Sequence, residues 1–425
     1  TGEPVSGYTP ITLGPINPTA YALSAGGQKL AVLESRGTNC ESYAGGTACR
    51  ASADVLHLVD IPARREVTAN LPGTDWVWLL AFSPDATRLA LVQNERESST
   101  VVVYDTDTGE LVAQQVLDFR PSLIAYAQVR PEQSQSDELA LAIYGQPLGS
   151  PPGMGQPGSP RVLLADATTL EILWDQPLEN IVSGYWCLEK CEEPHGEQLF
   201  AEWNPAVIPS LDGQRLYIVH ANTEWLTTVD FNTRSVSSVE IQAAQSWFER
   251  LLALTAGVAE AKGGVTGATK EGMFSPDGKQ LYIVTTAMNS TRDANGNWNS
   301  LETNLDLQVV AVDNGRKITG HDVEVTGSWI SADIIQFTPD GAHILVGGWS
   351  DGQRWAQVLD AKSLEPVVHL MGWEVMLSQR MDGQPVILGS RHHNGRRVEF
   401  ALLDSRSFDI ADSWTISTNA SWLAP

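Results

Sequence analysis

The feature that most constrains this chain is a strand, a tight turn and a second strand, repeated along its length. The clearest copies are Phe82-Ser-Pro-Asp-Ala-Thr-Arg-Leu-Ala-Leu-Val92, Phe274-Ser-Pro-Asp-Gly-Lys-Gln-Leu-Tyr-Ile-Val284 and Phe337-Thr-Pro-Asp-Gly-Ala-His-Ile-Leu-Val346. Ile208-Pro-Ser-Leu-Asp-Gly-Gln-Arg-Leu-Tyr-Ile-Val219 is a fourth, and weaker copies at 23–32, 136–143 and 380–387 bring the count to seven. Proline presets φ for the turn, aspartate binds local backbone, and glycine takes positive φ, so each copy is a hairpin corner. A third strand ending in Asp follows, as in Val102-Val-Tyr-Asp105 and Val358-Leu-Asp360, then a turn and a fourth strand.

Four-stranded units that cannot bury both faces alone must stack around an axis. The chain is therefore expected to be all-β, a seven-bladed β-propeller of four-stranded blades filling residues 1–425 as one domain, with one inserted α-helix. That helix is expected at about 243–263. Ser246 and Glu249 form a capping box there, and Trp247, Leu251, Leu254 and Val258 follow at helical spacing before Gly263-Gly264.

The copies at 275–285 and 339–347 resemble the YVTN-type repeat of bacterial seven-bladed propellers. The wider group includes the propeller chains of quinoprotein amine dehydrogenases and the lactonase-like propellers. The resemblance runs from about residue 17 to about 417 and implies an architecture, since its motifs describe turns and strands. Ser-Pro-Asp is lost in blades one, three and seven.

Charge narrows the partners. With 51 acidic against 27 basic residues and a net charge of −24, the chain repels phosphate backbones and anionic headgroups, so nucleic acid is not expected to bind. No apolar run approaches the roughly 20 residues of a membrane helix. The polar opening at Thr1 reads as a mature, soluble chain without direct membrane insertion; anchoring through an N-terminal segment stays open, as does the oligomeric state.

The cysteines fall in two close pairs, Cys40 with Cys49 and Cys187 with Cys191, each among turn-forming residues. Local disulfides are the expectation, which implies an extracytoplasmic location: periplasm, cell surface or secreted. The alternative for the second pair is a metal held with His195, but a zinc site needs a fourth ligand and tighter cysteine spacing. No cofactor is expected. Calcium is the one metal considered, at Asp293-Ala-Asn-Gly-Asn-Trp-Asn299, where Gly296 falls one place early and the twelfth position lacks an acid.

No nucleophile elbow, phosphate loop or HExxH motif is present, and no histidine falls in an inner strand, which excludes a multi-imidazole copper centre on the axis. Loop lengths point to a working face instead. With the four strands of each blade labelled A to D in chain order, the A-B and C-D turns are short, whereas the long segments 35–52, 145–160, 177–202, 243–270 and 288–303 all lie in B-C or D-A connections. Loops on a rigid scaffold carry function, so that face is expected to bind a protein partner or small ligand.

Counting back eight positions from the Pro place of the turn gives Trp76, Trp203 and Trp373, each beside an acid: Asp75, Glu202 and Glu374. Lys270 and Glu271 enter blade five nearby, and Arg120 completes the candidate ligand set. Indole faces with carboxylates suit a cationic, sugar-like or peptide ligand. The competing reading makes the tryptophans wedges between blades. Three functions follow from these features. The first is an exported, non-enzymatic binding propeller; the second is a propeller enzyme, either a lactonase-like hydrolase or an amine dehydrogenase chain; the third is a structural subunit of a surface layer or filament.

Overall fold

The computed structural model describes residues 18–417, without 95–97, 131–137, 148–158, 190–198, 242–263, 293–297, 301–303, 380–384 and 394–396 and short turns near 26, 36, 44, 52, 75, 326, 328, 339 and 405. Seven antiparallel four-stranded units follow one another along the chain, and the fifth is enlarged to a seven-stranded sheet. The inner strands are Pro18–Leu23, Trp76–Phe82, Phe119–Val129, Ala206–Pro209, Gly264–Phe274, Ile330–Phe337 and Glu374–Gln379. The fold is a seven-bladed propeller. The expected helix at 243–263 lies outside the described residues, as does most of the loop considered for calcium.

The repeated turn works through its hydroxyl as much as through its proline. Ser275 Oγ donates to Asp277 Oδ1 at 2.6 Å and accepts the Gln280 amide at 3.0 Å, and Thr338 treats Asp340 and His343 in the same way at 2.7 and 2.9 Å. Blade one has no aspartate there, yet Ser24 Oγ still accepts the Lys29 amide at 2.9 Å. The hydroxyl is therefore what survives in that degenerate copy. The C-D turns use the aspartate that ends strand C: Asp360 Oδ1 accepts the Lys362 and Ser363 amides at 3.0 and 2.8 Å.

The core lies between blades, because each blade is apolar on both faces. Leu33, Leu56 and Leu58 of blade one meet Leu89, Leu91 and Val102 of blade two. Tyr217, Val219 and Leu226 of blade four meet Phe274, Leu281 and Ile283 of blade five. Burial of this kind stabilises at roughly 25 cal/mol per Å² of apolar surface.

Two segments read as loops are hairpins. Thr38–Tyr43 pairs with Gly46–Ala51, which sets Cys40 directly opposite Cys49. Gly184–Glu189 pairs with Leu199–Asn204, and Leu199–Asn204 then runs parallel to blade five, from Leu199 opposite Gly264 to Asn204 opposite Thr269. Gly267, at φ +155°, permits this contact, since a Cβ there would collide with the Glu202 carbonyl. Pro205, which cannot donate to a ladder, marks where the chain leaves blade five's sheet for blade four's inner strand.

Candidate functional site

The face of the B-C and D-A connections gathers charge along the inner strands of blades five to seven. Glu271 stands in Gly264–Phe274, half-buried, and burial with the nearby Asp333 pushes its carboxyl up to about 7. Asp333 sits at a bulge in Ile330–Phe337, where the register shifts between Ala332 and Ile334. Arg354, at the start of Gln353–Asp360, donates through Nη1 to Asp333 at 2.6 Å and through Nη2 to Glu374 at 3.0 Å. Its guanidinium lies 4.0 Å over the Trp349 ring. Glu271, Asp333, Arg354 and Glu374 thus form a chain across three blades, with three carboxyls against one guanidinium. Negative charge is in excess, and Asp333 is 41% exposed, so the row can receive a cationic group.

The candidate set from the sequence divides. Glu271 and Glu374 belong to the row. Trp373 does not offer an indole to a shared mouth: it is 8% exposed, packs with Leu345, Val358 and Leu403, and carries the Arg391 guanidinium 4.5 Å over its ring. Large aromatics fill the gap between splayed blades, and that demand governs Trp373. Trp203 is half-buried against Ala268 and Ala287 in blade five's sheet, so turn counting places it on the wrong blade. Glu202 accepts from Asn204 Nδ2 at 2.8 Å on the same strand. Trp76 begins Trp76–Phe82 opposite Asn94, and Asp75 lies outside the described residues. Arg120 is exposed at the start of blade three, opposite Gln146, and no described contact brings it to the row.

Lys270 is the sharpest departure. It is 3% exposed and faces Glu224 and Asp306 between blades four and five, so it cannot touch a ligand on the surface. Beside it His220 is 3% exposed, and burial, with the Lys270 charge, pushes its imidazole down to about 4. Its Nε2 is 2.7 Å from Thr227 Oγ1, which makes it a neutral core histidine.

Sequence reasoning missed Asp333, Arg354, Trp349, Glu224 and Asp306. The one available signal was Trp349-Ser-Asp-Gly-Gln-Arg354, an Asp-Gly bend flanked by an aromatic and a cation. Among the described residues no group of three or more His, Cys, Asp or Glu side chains could hold a metal. Cys187 is disulfide-bonded, and Cys191 lies outside the described residues.

The sequence matches no protein-family model, and no curated protein matches it. Solved structures do. A prolyl endopeptidase is similar at 12% identity and a TM-score of 0.51, over 95% of this chain and 50% of that one. The periplasmic gluconolactonase PpgL of Pseudomonas aeruginosa is similar at 15% identity and 0.47, over 88% and 92%. The dihydro-heme d1 dehydrogenase NirN is similar at 11% and 0.47, over 94% and 66%. The chain spans half the length of the endopeptidase. At these identities the likeness concerns the fold, which hosts unrelated activities.

Proposed function

We propose that the chain is an exported binding propeller, non-enzymatic, that takes a protein or small ligand bearing a cationic group on the face of its B-C and D-A connections. The observation that carries this is the row Glu271, Asp333, Arg354 and Glu374, in which acids outnumber the one cation and Asp333 stays open to solvent. On the opposite face, Asp277, Asp340 and Asp360 in the described turns are already engaged with their own backbone. The paired cysteines support an oxidising compartment.

Isothermal titration calorimetry with a short lysine-rich peptide tests the reading, with a glutamate-rich peptide as control. The wild type should bind the lysine-rich peptide at low salt, and the double variant Glu271→Gln, Asp333→Asn should lose about tenfold in affinity, or about 1.4 kcal/mol. Equal binding by the double variant, or no binding by the wild type, would refute it.

One observation favours a hydrolase as a second reading: a carboxyl held at about 7 suits a general acid or base. Turnover of simple lactones that disappears in Glu271→Gln would select it.

A further inference from the structure

Arg354 lies in a seat that has the form of an arginine-binding site. Asp351 and Gly352, at φ +48° and +77°, make the two-residue turn that joins His343–Ser350 to Gln353–Asp360, and the ladder sets Trp349 directly opposite Arg354. The guanidinium accordingly rests over the indole. Asp333 is the extra residue of the bulge in Ile330–Phe337: Ala332 faces Gly348 and Ile334 faces Gly347, so Asp333 stands between them with no residue opposite, and its carboxylate accepts from Arg354 Nη1. Glu374, which opens the inner strand of blade seven, accepts from Nη2 and closes the seat.

One aromatic face and two carboxylates around a single guanidinium are the features by which proteins hold an arginine side chain. The plane stacks on the ring, and the forked N–H groups engage the acids.

Arg354 fills this seat incompletely. Its Nε is buried and makes no hydrogen bond, and a buried donor left unpaired weakens the hold of the side chain that carries it. The seat also opens to solvent, since Arg354 is 20% and Asp333 41% exposed.

We propose that the seat formed by Trp349, Asp333 and Glu374 takes an arginine side chain of the ligand, and that Arg354 is a tethered stand-in which the ligand displaces. The proposal rests on the proposed function of this face and narrows its cationic group to a guanidinium. An ammonium gains from the charge of the carboxylates, but it cannot stack as a plane or fork between two acids. Arg354 further sets the threshold for binding. With the seat vacant about a tenth of the time, apparent affinity is about tenfold below that of a seat kept empty.

Two measurements test this, with an arginine-rich and a lysine-rich peptide of equal length and charge. In calorimetry, Arg354→Ala should bind the arginine-rich peptide about tenfold more tightly than the wild type does, with a clearly smaller gain for the lysine-rich one. In NMR of wild-type protein carrying labelled arginine, saturation with the arginine-rich peptide should move the Arg354 Nε–H signal to the position of solvent-exposed arginines. Equal gains for the two peptides would show that only a charge was removed, and overturn the proposal. So does an Arg354 signal that stays in place while the arginine-rich peptide binds, a result that needs no variant to fold. In either case the binding face itself stands; a wild type that binds neither peptide refutes the face and the seat together.

Discussion

On the turn face, Asp277 accepts from the Ser275 hydroxyl and the Lys279 amide, which hold its carboxyl below the ordinary range. Asp340 and Asp360 are lowered in the same way, first by the amides of Ala342 and Ser363. On the face of the B-C and D-A connections, burial pushes Glu224, Glu271 and Asp306 upward. One chemical group thus has two fates in one molecule. Carboxylates that stay ionised with local donors stabilise corners, whereas carboxyls stripped of water without enough donors are held at a cost in folding and are available for proton transfer or for a cation. Lowered carboxyls thus stand at the propeller's corners, and raised ones between and along its blades at the other end.

The largest test distinguishes core from ligand surface on the long-loop face. Trp373→Ala should cost about 3 to 5 kcal/mol in urea unfolding, because the indole fills the contact between blades six and seven. A loss below about 1 kcal/mol would return Trp373 to the ligand set.

Next comes Glu271. A carboxyl raised from 4.5 to about 7 by folding binds its proton more tightly in the native state, so its contribution is fully present below 4.5 and is lost as pH rises through about 7. Glu271→Gln should therefore raise stability near pH 8 by up to about 3 kcal/mol and leave it unchanged near pH 4. Unfolding curves at both pH values check this; a destabilised variant near pH 8 would break the comparison.

How far such contrasts were legible in the sequence follows from their range. The corners are local, so Phe274-Ser-Pro-Asp-Gly and its copies disclosed the blade count and the fold. Insertion lengths are countable too, and from the sequence they make the face of the B-C and D-A connections the expected binding face. The partners of Lys270 did not, because Glu224 and Asp306 lie on other strands and meet it only through the ladder and the packing of blades four and five. Trp203 was misplaced because counting from the turn assumes an unbroken inner strand, and the chain changes sheet at Pro205. The bulge that sets Asp333 toward Arg354 likewise has no marker in Ile330-Ser-Ala-Asp-Ile-Ile-Gln-Phe337.

A smaller effect is expected on the turn face. Ser275→Ala removes a buried hydroxyl that bonds both Asp277 and Gln280, at about 1 kcal/mol. It should raise the Asp277 titration toward the ordinary range and leave binding of the lysine-rich peptide intact. Changed peptide affinity would show that the two faces are not independent. Arg120→Ala, at an exposed position, should stay within about 0.5 kcal/mol of the wild type in the same unfolding assay.

The most direct measurement is a site-resolved carboxyl titration by NMR on protein carrying labelled aspartate and glutamate. Asp277 and Asp340 should titrate below 3.8 and Glu271 near 7, with the Glu271 midpoint falling when the lysine-rich peptide is added. Titration of Glu271 at about 4.5, unmoved by the peptide, would contradict the division of labour between the two faces.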